Sequence, residues 1–157
     1  MKKLISACAV CALAVGLVAV PSAMGVKSPK QVGGAGSITV TPNPLPNTTT
    51  TATVSGNVAS SSGCRKDRTI HFAWVNGTTV GPDLGVVATT RSNGDYTATV
   101  PRPTDTAPTT TSVTLRATVD ALTRKVGSKK KGKKTKKGRV FNCMTFTSDS
   151  AAVTLTP

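Results

Sequence analysis

The chain has 157 residues and a formal net charge of +14, from 20 Lys and Arg against six acids, all of them Asp. Long helices draw on Glu, Leu, Lys and Ala at a 3.6-residue period. Here Thr and Val are abundant among 14 Gly and 10 Pro, which argues against helical classes and for strands and turns. A single His and few aromatics leave little for acid–base catalysis or for base-stacking nucleic-acid recognition.

Lys2 and Lys3 precede an uncharged apolar run from Leu4 to Val20, closed by Pro21 and Ser22. Ala23-Met24-Gly25 then presents the small residues that a signal peptidase reads, so residues 1–25 read as a secretory signal peptide cut after Gly25. A cut after Ala23 is the alternative. A retained membrane anchor competes with this reading, but the run of about 17 residues is at the lower limit of what spans a bilayer. Ile5-Ser6-Ala7-Cys8 matches a lipoprotein box, yet Cys8 has no hydrophobic region in front of it. About 130 residues remain, enough for one core but not two. The expectation is a secreted protein with no transmembrane segment in the mature chain. Any hold on the cell surface is then noncovalent.

Val26 to Gly36 carries Lys, Pro and Gly and reads as a flexible leader; residues 37–157 read as one β domain. Ser37 to Thr41 alternates as a short strand, stopped by Pro42, Pro44 and Pro46. Thr51 to Val58 sets Ala52, Val54, Gly56 and Val58 on one face. Arg68 to Val75 points Ile70, Phe72 and Trp74 inward and His71 and Ala73 outward. Asn76-Gly77 marks a turn. Gly85 to Thr90 and Asp95 to Val100 flank Ser92-Asn93-Gly94 and read as a hairpin, with Tyr96, Ala98 and Val100 inward. Pro101 to Pro108 is a loop. Ser112 to Val119 aligns Val113, Leu115, Ala117 and Val119, and Gly138 to Thr147 and Ala151 to Thr156 supply the last two strands. Seven or eight short strands between turns predict an all-β, antiparallel sandwich over one core.

Cys8 and Cys11 leave with the signal, so the mature chain keeps two cysteines, Cys64 and Cys143. An exported pair in an oxidising compartment usually bonds. The loop closed would be about 80 residues, worth roughly 4 to 5 kcal/mol in a chain-entropy model. Two buried free thiols are the alternative. A metal site has too few ligands at no recognised spacing, and no cofactor is expected.

Cys64-Arg65-Lys66-Asp67-Arg68-Thr69-Ile70, Gly85 to Thr90 and Ser92-Asn93-Gly94-Asp95-Tyr96-Thr97 together resemble a module of secreted bacterial proteins, many of them actinobacterial. Such modules open on Cys-Arg-x-x-Arg, continue through a Gly-to-Thr strand and a Gly-x-Tyr strand, and place a second Cys near the end. They are similar to the immunoglobulin-like and transthyretin-like sandwiches of the carboxypeptidase-regulatory kind. The resemblance covers about Thr48 to Pro157 and implies a non-catalytic surface or accessory domain; it implies fold more firmly than function. The lysine block departs from that pattern.

This block, residues 124–139, holds Arg124, Lys125, Lys129, Lys130, Lys131, Lys133, Lys134, Lys136, Lys137 and Arg139 and no acid. Outside it the mature chain carries eight Lys and Arg against six Asp, so the excess charge is local. It is expected to be a solvated loop between two strands. Close-packed ammonium groups attract phosphate- or sulfate-bearing polymers through Coulomb forces and counterion release. The expected partner is an anionic cell-envelope polymer or another polyanion such as anionic lipid head groups, glycosaminoglycan or shed nucleic acid. No aromatics interleave the lysines, so sequence-specific nucleic-acid recognition is not encoded. The competing reading is an inert, solubilising loop on a structural module with a protein-binding face. A carbohydrate-binding module lacks its exposed aromatic platform, since Trp74 and Tyr96 alternate inward.

No catalytic residue is assigned. His71 is expected at a strand surface with no acid beside it in sequence, and neither Ser nor Cys has a candidate base. Asp67, Asp95 and Asp120 sit where Asp serves turns. Asp83 and Asp95 could meet at one end of the sandwich, but calcium gathers more oxygen ligands than two carboxylates supply.

Overall fold

A computed structural model of the chain describes residues 28–104, 111–127, 130–131, 134–135 and 138–157. Among them are fifteen strands and no helix. In chain order these are β1 (Lys30–Val32), β2 (Ala35–Thr41), β3 (Leu45–Pro46), β4 (Thr51–Ala59), β5 (Thr69–Asn76), β6 (Thr79–Val80), β7 (Val87–Thr89), β8 (Asp95–Pro101), β9 (Ser112–Val119), β10 (Leu122–Val126), β11 (Lys130–Lys131), β12 (Lys134–Thr135), β13 (Arg139–Cys143), β14 (Phe146–Asp149) and β15 (Val153–Thr156). The expectation of about seven strands is therefore corrected upward, chiefly by strands of two or three residues that are too short to show a period. Among the described residues no helix is long and apolar enough to cross a membrane.

Two sheets enclose the core. One runs β2-β4-β8, antiparallel throughout. The other follows the path β3-β15-β9-β5-β6, with β14 also on β9 and β7 also on β5. Strand alternation decides what each sheet buries. Val40, Val54, Val58, Tyr96 and Val100 come from the first; Ile70, Phe72, Trp74, Leu115, Ala117, Val119 and Val153 come from the second. The Phe72 and Tyr96 rings meet between the sheets with centroids 6.2 Å apart. The inward positions of β4, β5, β8 and β9 follow the alternation in the sequence, and half-exposed His71 lies between buried Ile70 and Phe72.

Pairing departs from expectation in several places. Lys30–Val32 and Ala35–Thr41 are strands within or across the stretch read as a flexible leader: β1 pairs in parallel with β13, and Ala35 and Gly36 pair with Ala59 and Val58 of β4. A second parallel pair, β3 with β15, means the assembly is not wholly antiparallel. The Ser92-Asn93-Gly94 segment does turn the chain, closed by Arg91 N–H to the Asp95 carbonyl at 2.8 Å. Its flanks are no hairpin, however: β7 pairs with β5 and β8 with β4. The turn is a corner between sheets. The predicted strand Gly138 to Thr147 is broken at Met144 and Thr145, where the chain leaves β13 for β14 on a different sheet. Between β14 and β15 three residues oppose two on β9, an added residue of the kind that makes a bulge. Ser150 fills the gap, its Oγ accepting from Leu115 N–H at 2.9 Å.

Candidate functional site

The third sheet, β1-β13-β10, carries the described ends of the basic block. Cys143 closes β13 and is bonded to Cys64, with Cα atoms 5.5 Å apart and a sequence separation of 79. Both cysteines are buried. Cys64 sits in a turn rather than opening β5, its N–H donating to the Ser61 carbonyl at 2.8 Å.

Arg124 and Lys125 lie in β10 and Arg139 in β13, so residues 124–139 are not simply a loop. Register pairs Arg124 with Phe141, Lys125 with Val140 and Val126 with Arg139. Facing residues share a side of the sheet, so Arg124 and Arg139 lie on one face and Lys125 on the other. In a separate two-stranded sheet, β11 and β12 pair with Lys131 opposite Lys134 and Lys130 opposite Thr135. Lys129, Lys133, Lys136 and Lys137 lie outside the described residues, as do Asp105, residues 1–25 and the rest of the segment before residue 28.

Arg124 is tethered. Its Nη1 donates to the Lys66 carbonyl at 3.1 Å, and its Nη2 stands 3.4 Å from Asp67 Oδ2. Lys66 Nζ approaches the same carboxylate at 3.7 Å. Asp67 occupies the left-handed region at φ 57°, which Asp tolerates better than most residues. Its N–H donates to the Thr90 carbonyl. The hairpin base is thus fixed by the disulfide on one strand and an ion pair on the other.

Arg68 is the polar residue that sequence reasoning missed. It is 1% exposed. Its Nε and Nη2 donate to the Asp120 carbonyl, Nη1 to the Cys64 carbonyl at 3.1 Å, and Nη2 also to the Met144 carbonyl at 2.8 Å. The guanidinium stands 5.8 Å from the centroid of the Phe146 ring. Burial lowers its pKa from the usual arginine value, and the nearby Asp120 charge opposes that shift. Its place directly before a clear strand was the available signal, but nothing local indicates three carbonyls converging on it.

His71 has acids beside it in space, though none in sequence. Nδ1 lies 3.1 Å from Asp83 Oδ2 and Nε2 lies 3.2 Å from Asp120 Oδ2. Asp83 therefore flanks His71, whereas Asp95 binds Asn57 Nδ2 and Asn93 Nδ2. The two carboxylates considered as a calcium pair have separate partners. Among the described residues no cluster of three His, Cys, Asp or Glu side chains could hold a metal ion.

A cleft of about 400 Å³ opens elsewhere, beside Trp74 and between the segment after β6 and the end of β8. No family model, curated protein or solved structure matches the chain.

Proposed function

We propose that the chain is an exported, non-catalytic β-sandwich of the immunoglobulin-like or transthyretin-like kind, and that residues 124–139 attach it to an anionic polymer. The observation that carries this reading is ten cations without one acid in residues 124–139, a segment whose two ends pair as β10 and β13 beside the disulfide. Ten like charges within sixteen residues repel one another. A bound polyanion relieves that repulsion and releases its counterions. The non-catalytic part rests on His71, whose two ring nitrogens both face carboxylates, leaving neither for a nucleophile.

The test is retention on immobilised heparin or anionic wall polymer across a salt series. Wild type is compared with a variant carrying Gln at Lys129, Lys130, Lys131, Lys133 and Lys134. Wild-type affinity should fall by about one logarithmic unit of slope per cation released, and the variant should lose most retention while its denaturation midpoint stays in place. Equal retention of the two proteins overturns the reading. It would leave a structural module with a protein-binding face and an inert loop.

A further inference from the structure

The cleft beside Trp74 is preformed. Trp74 Nε1 donates to the Pro101 carbonyl at 2.9 Å, tying the end of β8 to β5. On the other side Gly81 N–H donates to the Trp74 carbonyl at 2.8 Å and Leu84 N–H to the Phe72 carbonyl at 2.9 Å. Both walls therefore hang from one strand by main-chain or indole hydrogen bonds. The volume of about 400 Å³ falls within the range of small-molecule sites, about 300–1,000 Å³.

The described lining is mostly apolar, with one charged residue. Trp74, Pro82, Leu84, Pro101 and Val113 supply carbon surface beside the neutral polar Asn76, Thr79 and Thr104, and Arg102 supplies a cation; among the described residues no acid lines the cleft. Arg68, Arg116 and Arg124 have donors taken up by carbonyls or carboxylates. Arg102 differs. Its main chain is fixed by Arg102 N–H to the Thr50 carbonyl at 2.9 Å. Among the described residues its guanidinium makes only a long Nη2 bond to the Thr156 carbonyl at 3.4 Å, and its Nε, shut from solvent, has no partner. A guanidinium short of acceptors, at the edge of a mostly apolar cleft, is complementary to a carboxylate on an apolar body.

We infer that this cleft binds a small amphipathic anion, an acyl chain or apolar ring bearing a single carboxylate. The apolar body packs against Trp74, Pro82 and Leu84, and the carboxylate takes the Nη donors of Arg102. The inference is independent of the basic hairpin.

Trp74 is the only tryptophan in the chain, so its fluorescence reports the cleft directly. The experiment titrates the protein with decanoate, below its micelle concentration, and with decanol. Decanoate should give a saturable change in Trp74 emission, and decanol should bind roughly tenfold more weakly for want of the charge-assisted contact. Arg102→Gln should weaken decanoate to the level of decanol and leave decanol unchanged. Should that variant fail to fold, the decanoate–decanol contrast in wild type still decides. The five-site Gln hairpin variant should respond to decanoate like wild type. Absence of a saturable response, equal affinity for the two probes, or loss of the response in the hairpin variant each overturns the inference.

Discussion

Arg68 shows at the residue scale how position can outweigh residue type. Replacing a buried charge by an apolar side chain is often neutral when its partners leave with it. Here the carbonyls of Cys64, Asp120 and Met144 would remain, each deprived of its guanidinium donor. An unsatisfied buried acceptor costs about 1–3 kcal/mol, so Arg68→Met should lower stability by about 3 kcal/mol or more, read as the urea midpoint. Arg68→Lys should recover little, because one ammonium cannot span three directions. An unmoved midpoint would show that water replaces the guanidinium. Tyr96 makes a second residue-scale case. It is the only tyrosine, and burial pushes its pKa from 10.0 up to about 12. The folded state therefore keeps the proton that the unfolded chain releases near pH 10. Its contribution to stability is intact below that pH and is lost as pH rises from about 10 to about 12. Tyr96→Phe should flatten stability across this window. It should also cost about 1 kcal/mol at neutral pH, from the lost hydrogen bond to the Ser37 carbonyl. An equally steep alkaline loss in the variant would assign the effect to other groups.

Gly56 illustrates what an element needs that alternation does not reveal. It is the register partner of Tyr96 on one side of β4 and of Ile38 on the other. A Cβ there would collide with the Ser37 carbonyl oxygen and the Tyr96 ring. Gly56→Ala should therefore destabilise the β2-β4-β8 sheet by about 1–3 kcal/mol or more, as overpacking does, measured by thermal or urea unfolding. An alanine tolerated without loss would mean that the sheet shifts locally. In the sequence Gly56 reads only as one more inward position. The same limit applies to β10: its cations mark it as solvated loop, yet backbone pairing with β13 requires no apolar side chains. Likewise, Asn93-Gly94 correctly signals a turn, but a turn does not say whether its flanks pair with each other or with two different sheets.

At the scale of the whole molecule the disulfide ties the small β1-β13-β10 sheet to the turn before β5. Its 79-residue separation corresponds to about 4 to 5 kcal/mol in the chain-entropy account, a large share of what a domain of this size commonly possesses. Reduction, or paired Cys64→Ala and Cys143→Ala replacement, should lower the denaturation midpoint sharply. A midpoint unaffected by reductant would place the stabilisation in the strand pairing instead.

The sequence by itself determined the all-β class, the inward faces of β4, β5, β8 and β9, the pairing of Cys64 with Cys143 and the concentration of charge in residues 124–139. These follow from period-two patterning, composition and cysteine arithmetic, all of which are local or additive. Only the tertiary structure decided that β7 and β8 part at a corner, that Arg68 is enclosed by carbonyls, that His71 lies between Asp83 and Asp120, and that Arg102 lines the cleft beside Trp74. Each depends on which distant strands pair and in what register. Main-chain hydrogen bonds are chemically alike at every residue, so partner choice is settled by packing across the whole core rather than by any local pattern.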